Sequence, residues 1–233
     1  MDHFFYSNQI YDNVIILDEN EAIHLIKVLR LKSDDKVSIV DGRGNLYHAS
    51  IISEDINDCK LNIISIIKEF NLKKHYIHLA IAPPKSHDRL EFFVEKAVEL
   101  GINEISFIIS NHSERNNVKL NRIQKCTISA MKQSRNAYLP KVNDIVDYGK
   151  FINHCNNSEK FIAHMDFNNI HLQCAASKDS DYCVLIGPEG DFSNDEIEQS
   201  IINNFRKISL GKSRLRTETA AISACHILNL INE

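Results

Sequence analysis

The 233-residue sequence contains no run of eighteen apolar residues, so no segment of it reads as a membrane-spanning helix. Met1-Asp2-His3 carries no basic stretch of the kind that opens a secretory leader, and the expectation is a cytoplasmic protein. Six cysteines, Cys59, Cys126, Cys155, Cys174, Cys183 and Cys225, include no C-x-x-C pair. That spacing speaks against a zinc cage or a redox motif and leaves simple core or surface thiols. The eleven histidines show no H-E-x-x-H or comparable ligand spacing, and His75 and His78 would face opposite ways on a strand entering at Tyr76. No metal is expected. G-x-G-x-x-G and G-x-x-x-x-G-K-[ST] are both missing, which removes the ordinary dinucleotide and nucleoside-triphosphate cradles.

What is present is globular composition, 43% hydrophobic and 25% charged, which argues against disorder. The length suits a small domain followed by a medium one. We read the first as residues 1–70. Val14 to Leu17 is strand-like, Asp18 and Glu21 have the spacing to cap a helix through about Leu29, and Val37–Asp41, Leu46–Ser53 and Leu61–Ile67 alternate as strands. The turn Gly42-Arg43-Gly44-Asn45 closes a hairpin, and a helix among short strands suggests a small barrel. The polar stretch Glu69 to Lys74 marks the change to residues 71–233, where strands alternate with helices. Ile77–Ala82, Glu104–Ile109, Phe161–Ala163, Tyr182–Ile186 and Lys207–Leu210 read as strands. Helices are expected from Arg89 to Leu100 with Asp88 as cap and Gly101 as stop, near Leu120–Asn136, over Asn194–Phe205, and from Glu218 to about Ile231. This is a parallel α/β pattern, with ligand sites expected at the carboxyl ends of the strands.

Two late segments carry the most chemistry, Leu185-Ile186-Gly187-Pro188-Glu189-Gly190-Asp191-Phe192-Ser193 and Leu210-Gly211-Lys212-Ser213-Arg214-Leu215-Arg216-Thr217-Glu218-Thr219-Ala220. Each is an apolar run that stops at glycine, turns tightly and opens a helix. Gly187 and Gly190 leave backbone unshielded and Pro188 removes an N–H, so a flat heterocycle would be read there by main chain. Ser193 and Glu196 have capping-box spacing.

Net charge is −4 from 27 basic and 31 acidic residues, but it is unevenly spread. Residues 1–70 hold seven Lys/Arg against twelve Asp/Glu. From His112 to Lys141 there are seven basic residues, Arg115, Lys119, Arg122, Lys125, Lys132, Arg135 and Lys141, and one acid, Glu114. Charge alone fits a solvated helix face as well as a phosphate-binding stripe. Arg43, between two glycines at a hairpin tip, and Arg30, after the first helix, are placed either to touch RNA or simply to be surface charges.

In the order and spacing of its motifs the chain resembles the bacterial ribosomal RNA small subunit methyltransferase E family, of the SPOUT class. The resemblance rests on His3-Phe4-Phe5, His24 to Arg30, Asp41-Gly42-Arg43-Gly44, Lys85 with Asp88-Arg89, Glu95 to Gly101, Ser113-Glu114-Arg115, Gln133 with Arg135, Pro140 and the two late loops. One departure stands out: the family pattern reads Gly-Pro-Glu-Gly-Gly, and this chain has Asp191 in the last place.

The resemblance implies a PUA-like RNA-binding barrel followed by a SPOUT domain with a deep trefoil knot. It implies a homodimer that binds S-adenosylmethionine and methylates N3 of a uridine in 16S ribosomal RNA, free or in the small ribosomal subunit. The cofactor residues it implies are His164, Met165, Leu185, Ile186, Gly187, Pro188, Glu189, Gly190, Leu210, Gly211, Leu215, Arg216 and Thr219. Arg216 is the expected catalytic residue, and Arg30, Arg43, Arg115, Lys119, Arg122 and Arg135 are the expected RNA contacts. Ribose 2′-hydroxyl methylation and a noncatalytic RNA-binding module are the alternatives.

Overall fold

In the computed structural model, which describes residues 3–166 and 168–233, the chain divides into two compact units. The first comprises residues 1–72 together with 128–139, and the second 73–127 with 140–233. Segment 128–139, which the sequence reading left in the second domain, therefore groups with the first.

The first unit holds strands β1 (Phe4–Tyr6), β2 (Gln9–Tyr11), β3 (Val14–Ile16), β4 (Lys36–Val40), β5 (Leu46–Ile51) and β6 (Lys60–Ile67). They pair in the order β1-β4-β5-β6-β3-β2, with β1 parallel to β4 and every other pair antiparallel. Helix α1 (Glu19–Ile23) starts where Asp18 Oδ1 accepts the Glu21 N–H at 2.9 Å and runs on as a wider π turn, His24–Val28. Phe5, Ile15, Leu25, Ile39 and Leu61 meet in its core, fully buried. Segment 128–139 closes this unit against the β4–β5 hairpin. Gly44 N donates to Ala137 O at 2.9 Å, and Leu139 N donates to Gly42 O at 2.9 Å. Gly44, at φ +98°, lies under the Tyr138 ring, where any Cβ would collide with it.

The second unit is built on β7 (Tyr76–Ile81), β8 (Glu104–Ile109), β9 (Lys141–Asp147), β10 (Glu159–Ala163), β11 (Asp181–Ile186) and β12 (Arg206–Ile208). All are parallel, in the order β12-β10-β11-β7-β8-β9. Buried on both faces, the central strands are continuous apolar runs, as parallel sheets require. Helix α2 (His87–Glu99) buries Leu90, Phe93, Val94, Ala97 and Val98, an apolar face at helical spacing in which each large side chain contributes about 1.5–3 kcal/mol. Its cap is Ser86, whose hydroxyl accepts the Arg89 N–H, and not Asp88, which lies in the first turn where its charge complements the helix dipole.

Helix α3 (Leu120–Gln133) contributes residues to both units. Helices α4 (Tyr148–His154), α5 (Leu172–Ala175) and α6 (Asn194–Ile202) follow, α6 opening on the full Ser193–Glu196 capping box. After the edge strand β12, helix α7 (Thr217–Asn232) packs against α2 and over β7 and β11.

Candidate functional site

Parallel pairing brings the carboxyl ends of β12, β10 and β11 to one rim of the sheet. The loops that leave these three strands enclose a cavity of about 310 Å³. Such a rim collects ligand sites because the chain must leave it in loops whose backbone is not committed to the ladder.

After β11 the chain turns at Gly187-Pro188, and Asp191 N donates to Pro188 O at 3.0 Å to close the turn. A Cβ on Gly187 would stand 3.2 Å from the Phe192 ring, so glycine is what lets that ring pack into the core. Asp191 has φ +62°, a left-handed backbone that aspartate tolerates better than most residues. After β12, Ser209 Oγ accepts from Gly211 N and donates to Gly211 O, both at 3.1 Å. Gly211 sits at φ +131° with open space where a Cβ would be, so backbone conformation and not crowding calls for glycine. After β10, His164 N donates to Ile208 O at 3.1 Å, and Ser209 N returns a bond to Ile170 O at 2.9 Å.

Three side chains join these loops. Thr217 Oγ1, in the first turn of α7, donates to Gly187 O at 3.0 Å. Arg214 donates to Glu189 O at 3.2 Å. His164 Nδ1 lies 3.0 Å from Asp191 Oδ2, and because a carboxylate only accepts, Nδ1 carries the proton. The apolar wall is Ala163, Ile186, Leu210, Leu215 and Ala220, with Glu189 and Asp191 as its carboxylates. A mostly apolar hollow with a few fixed polar groups is the build of a small-molecule site.

The matches to known proteins agree with this geometry. An RNA methyltransferase domain model matches residues 71–229, and an RNA methyltransferase PUA domain model matches residues 17–64. The chain is 32% identical over 239 residues to ribosomal RNA small subunit methyltransferase E of Rickettsia conorii, covering 96% of both proteins. The chain belongs to the ribosomal RNA small subunit methyltransferase E family. A probable rRNA-methyltransferase from Porphyromonas gingivalis superposes with a TM-score of 0.93 at 35% identity, over 99% of this chain and 98% of that one. The ribosomal RNA small subunit methyltransferase E of Neisseria gonorrhoeae, solved bound to S-adenosyl methionine, superposes at 0.87 with 26% identity, over 100% of this chain and 98% of that one. The family's α/β architecture, a parallel-sheet domain with a separate N-terminal PUA-like domain, is thus the architecture of this chain.

Of the residues that the family pattern marks for the cofactor, His164, Met165, Ile186, Gly187, Pro188, Glu189, Leu210, Gly211 and Leu215 line the cavity. Leu185 does not, being fully buried in the core beneath it. Gly190 packs on His112, whose Cβ would be 3.0 Å from a Cβ placed there. Arg216 and Thr219 are exposed outside the lining. Arg216 is the N-cap residue of α7, yet its side chain makes no capping bond. Ala163, Asp191, Ser209, Ser213, Arg214, Thr217 and Ala220 complete the wall. Thr217 carries a signal that could have found it, a hydroxyl at the first position of a helix that follows a glycine loop.

The six basic residues divide between the units. Arg30 is exposed in a left-handed conformation just past the π turn, and Arg43 is exposed at the hairpin tip, its N–H held by Asp41 Oδ1 at 2.8 Å. Arg135 lines a shallow groove of the first unit with His24 and Lys132. In the second unit Lys119 and Arg122 line another groove with Lys125, although Arg122 also pairs with Glu91. Arg115 is turned inward, bonding Lys85 O and the Nδ1 of His87. Burial and the charges of Arg115, Lys119 and Arg122 lower the His87 pKa, which keeps that ring neutral as an acceptor. No cluster suited to a metal ion occurs among the described residues.

Proposed function

We propose that this chain transfers a methyl group from S-adenosylmethionine to N3 of a uridine in 16S ribosomal RNA. The observation that carries the proposal is the cavity at the ends of β12, β10 and β11, whose wall is mostly apolar with a few polar and charged groups, in a chain of this family. A purine with its ribose fits such a wall. Ile186, Leu210, Leu215 and Ala220 would cover its faces, with the loops at Gly187 and Gly211 along its edge. When bound, the cofactor supplies an electrophilic methyl on a sulfonium.

The chain's own residues have two tasks, to align the acceptor and to favour its reactive form. Uracil N3 is a poor nucleophile while protonated, and its anion spreads charge over both flanking carbonyls. Arg216 is suited to stabilise that anion, because its guanidinium is exposed beside the cavity, makes no ion pair among the described residues and cannot lose its charge. Arg30, Arg43 and Arg135 in the first unit, and Lys119, Arg122 and Arg115 in the second, supply RNA contacts in this reading. Their exposure or their groove positions support it, with Arg115 the least available.

The reading includes the trefoil knot. Strand β11 inserts between β7 and β10, and the chain returns from the far edge strand β12 to lay α7 over β7 and β11, a path that favours a threaded tail. It also includes residues 1–70 and 71–233 as the functional division, a homodimer and a cytoplasmic location. Leu230 of α7 is 51% exposed, apolar surface available to a second copy, and sedimentation tests the dimer.

The deciding experiment is mass-spectrometric mapping of the methyl group on 16S ribosomal RNA after incubation with the purified protein and S-adenosylmethionine. A methyl on uridine N3 supports the reading. A methyl on a ribose 2′-oxygen replaces it with the other chemistry, and RNA binding without any methyl leaves a binding module.

A further inference from the structure

We infer that Asp191 makes the cavity discriminate by charge, favouring the cationic sulfonium donor over the neutral thioether that remains after transfer. The inference rests on the cofactor reading above. Asp191 stands where the family pattern has glycine, and it occupies a left-handed backbone at φ +62° that glycine would adopt without strain.

The carboxylate lines the cavity and is held from two sides. Oδ2 is bonded to His164 Nδ1 at 3.0 Å, from the loop after β10, and Oδ1 accepts the Phe192 N–H at 2.8 Å. The His164 ring donates to it and fixes its position. The other carboxylate of the wall, Glu189, points its Oε1 to the backbone N–H of Lys85, 3.3 Å away. Asp191 is thus a carboxylate tethered across two of the loops that form the cavity, in a wall that also holds Glu189 and the Arg214 guanidinium.

Donor and spent cofactor differ by one methyl and one positive charge, so shape separates them poorly and charge separates them well. Asp191 lines the cavity, so a sulfonium held there comes under the field of its carboxylate. The Asp191 side chain is 34% exposed, so screening reduces the effect well below its value in a dry site. A threefold to tenfold preference is the expected scale.

The test is calorimetry of S-adenosylmethionine and S-adenosylhomocysteine with the intact protein, Asp191→Asn and Asp191→Gly. Asparagine keeps the shape and a hydrogen bond, and glycine restores the pattern residue, so both variants should fold. The inference expects the ratio of the two dissociation constants to move about threefold to tenfold toward S-adenosylhomocysteine in both variants. An unchanged ratio, or equal loss of both ligands, overturns it and makes Asp191 a structural residue only. If the unaltered protein binds neither compound, the cofactor reading itself fails and the inference falls with it.

Discussion

Thr217 Oγ1 donates to the Gly187 carbonyl at 3.0 Å, fastening the first turn of the last helix to the loop after β11. Thr217 itself is 4% exposed. Replacing the hydroxyl with a methyl, as in Thr217→Val, keeps the volume and leaves that carbonyl without its partner, at about 1 kcal/mol. Affinity for S-adenosylmethionine should fall about fivefold while the fold is retained. Equal affinities by calorimetry would show that the two loops hold their places without this bond.

Arg216→Ala removes the guanidinium that the proposed mechanism sets against developing negative charge. Turnover should drop about 100-fold, the scale seen when one stabilising donor is lost, with little change in cofactor affinity. Arg216 caps no helix group through its side chain, so the thermal midpoint should stay in place. Single-turnover methylation of ribosomal RNA checks this, and undiminished turnover removes Arg216 from the mechanism.

Acid should destabilise the second unit through Glu104. Burial acts to raise the pKa of this carboxyl, but hydrogen bonds from Lys141, Asn143 and Tyr76 and the charge of His78 outweigh it and hold it at about 2. A carboxyl depressed in the folded state contributes stability that is present above its unfolded value, near pH 4.5, and lost as pH falls toward 2. The contribution is on the order of a few kcal/mol. His78, lowered chiefly by burial, adds to the loss below about pH 6.5, since its unfolded ring then takes a proton that the folded one resists. Urea melts at stepped pH should therefore show a steep decline between pH 4.5 and 2 that Glu104→Gln flattens, at the expense of stability near neutrality.

Gly44→Ala should damage the first unit and spare the cavity. At φ +98° any side chain is strained, and the Cβ would run into the Tyr138 ring. The expected loss is about 1–3 kcal/mol. RNA affinity should weaken with binding of S-adenosylmethionine intact. Parallel loss of both would mean that the two units do not fold independently.

Much of this architecture is legible without coordinates where a local pattern and a tertiary demand coincide. Strands β7, β8 and β11 are apolar runs bounded by polar residues, and the buried face of α2 has helical spacing, so both are visible in the chain itself. The Ser193–Glu196 box is also local, since donor and acceptor lie three residues apart. Strands β1 and β2 escape such reading because their few apolar and polar residues show no clear pattern, and they form by pairing with β4 and β3. Edge strand β9 escapes for a related reason: it is largely part-exposed, and its alternation is too weak to separate it from a loop. At the start of α2, Ser86 and Asp88 offer comparable side chains, and only the backbone path selects the serine.

For the site the division is sharper. The two glycine-bearing loops can be found from the sequence because a chain that must turn tightly and expose backbone announces it in Gly and Pro. The order and spacing of the motifs likewise carry the resemblance to the family, and the absence of the common nucleotide cradles is visible in the chain. What distance along the chain cannot encode is which loops meet. Parallel pairing of β10, β11 and β12 decides that His164 lies against Asp191 and Thr217 against Gly187, pairs separated by 27 and 30 residues. The same packing keeps Leu185 out of the cavity and brings Ala220 in, because the side on which a strand or helix faces a neighbour is settled only when the neighbour is in place.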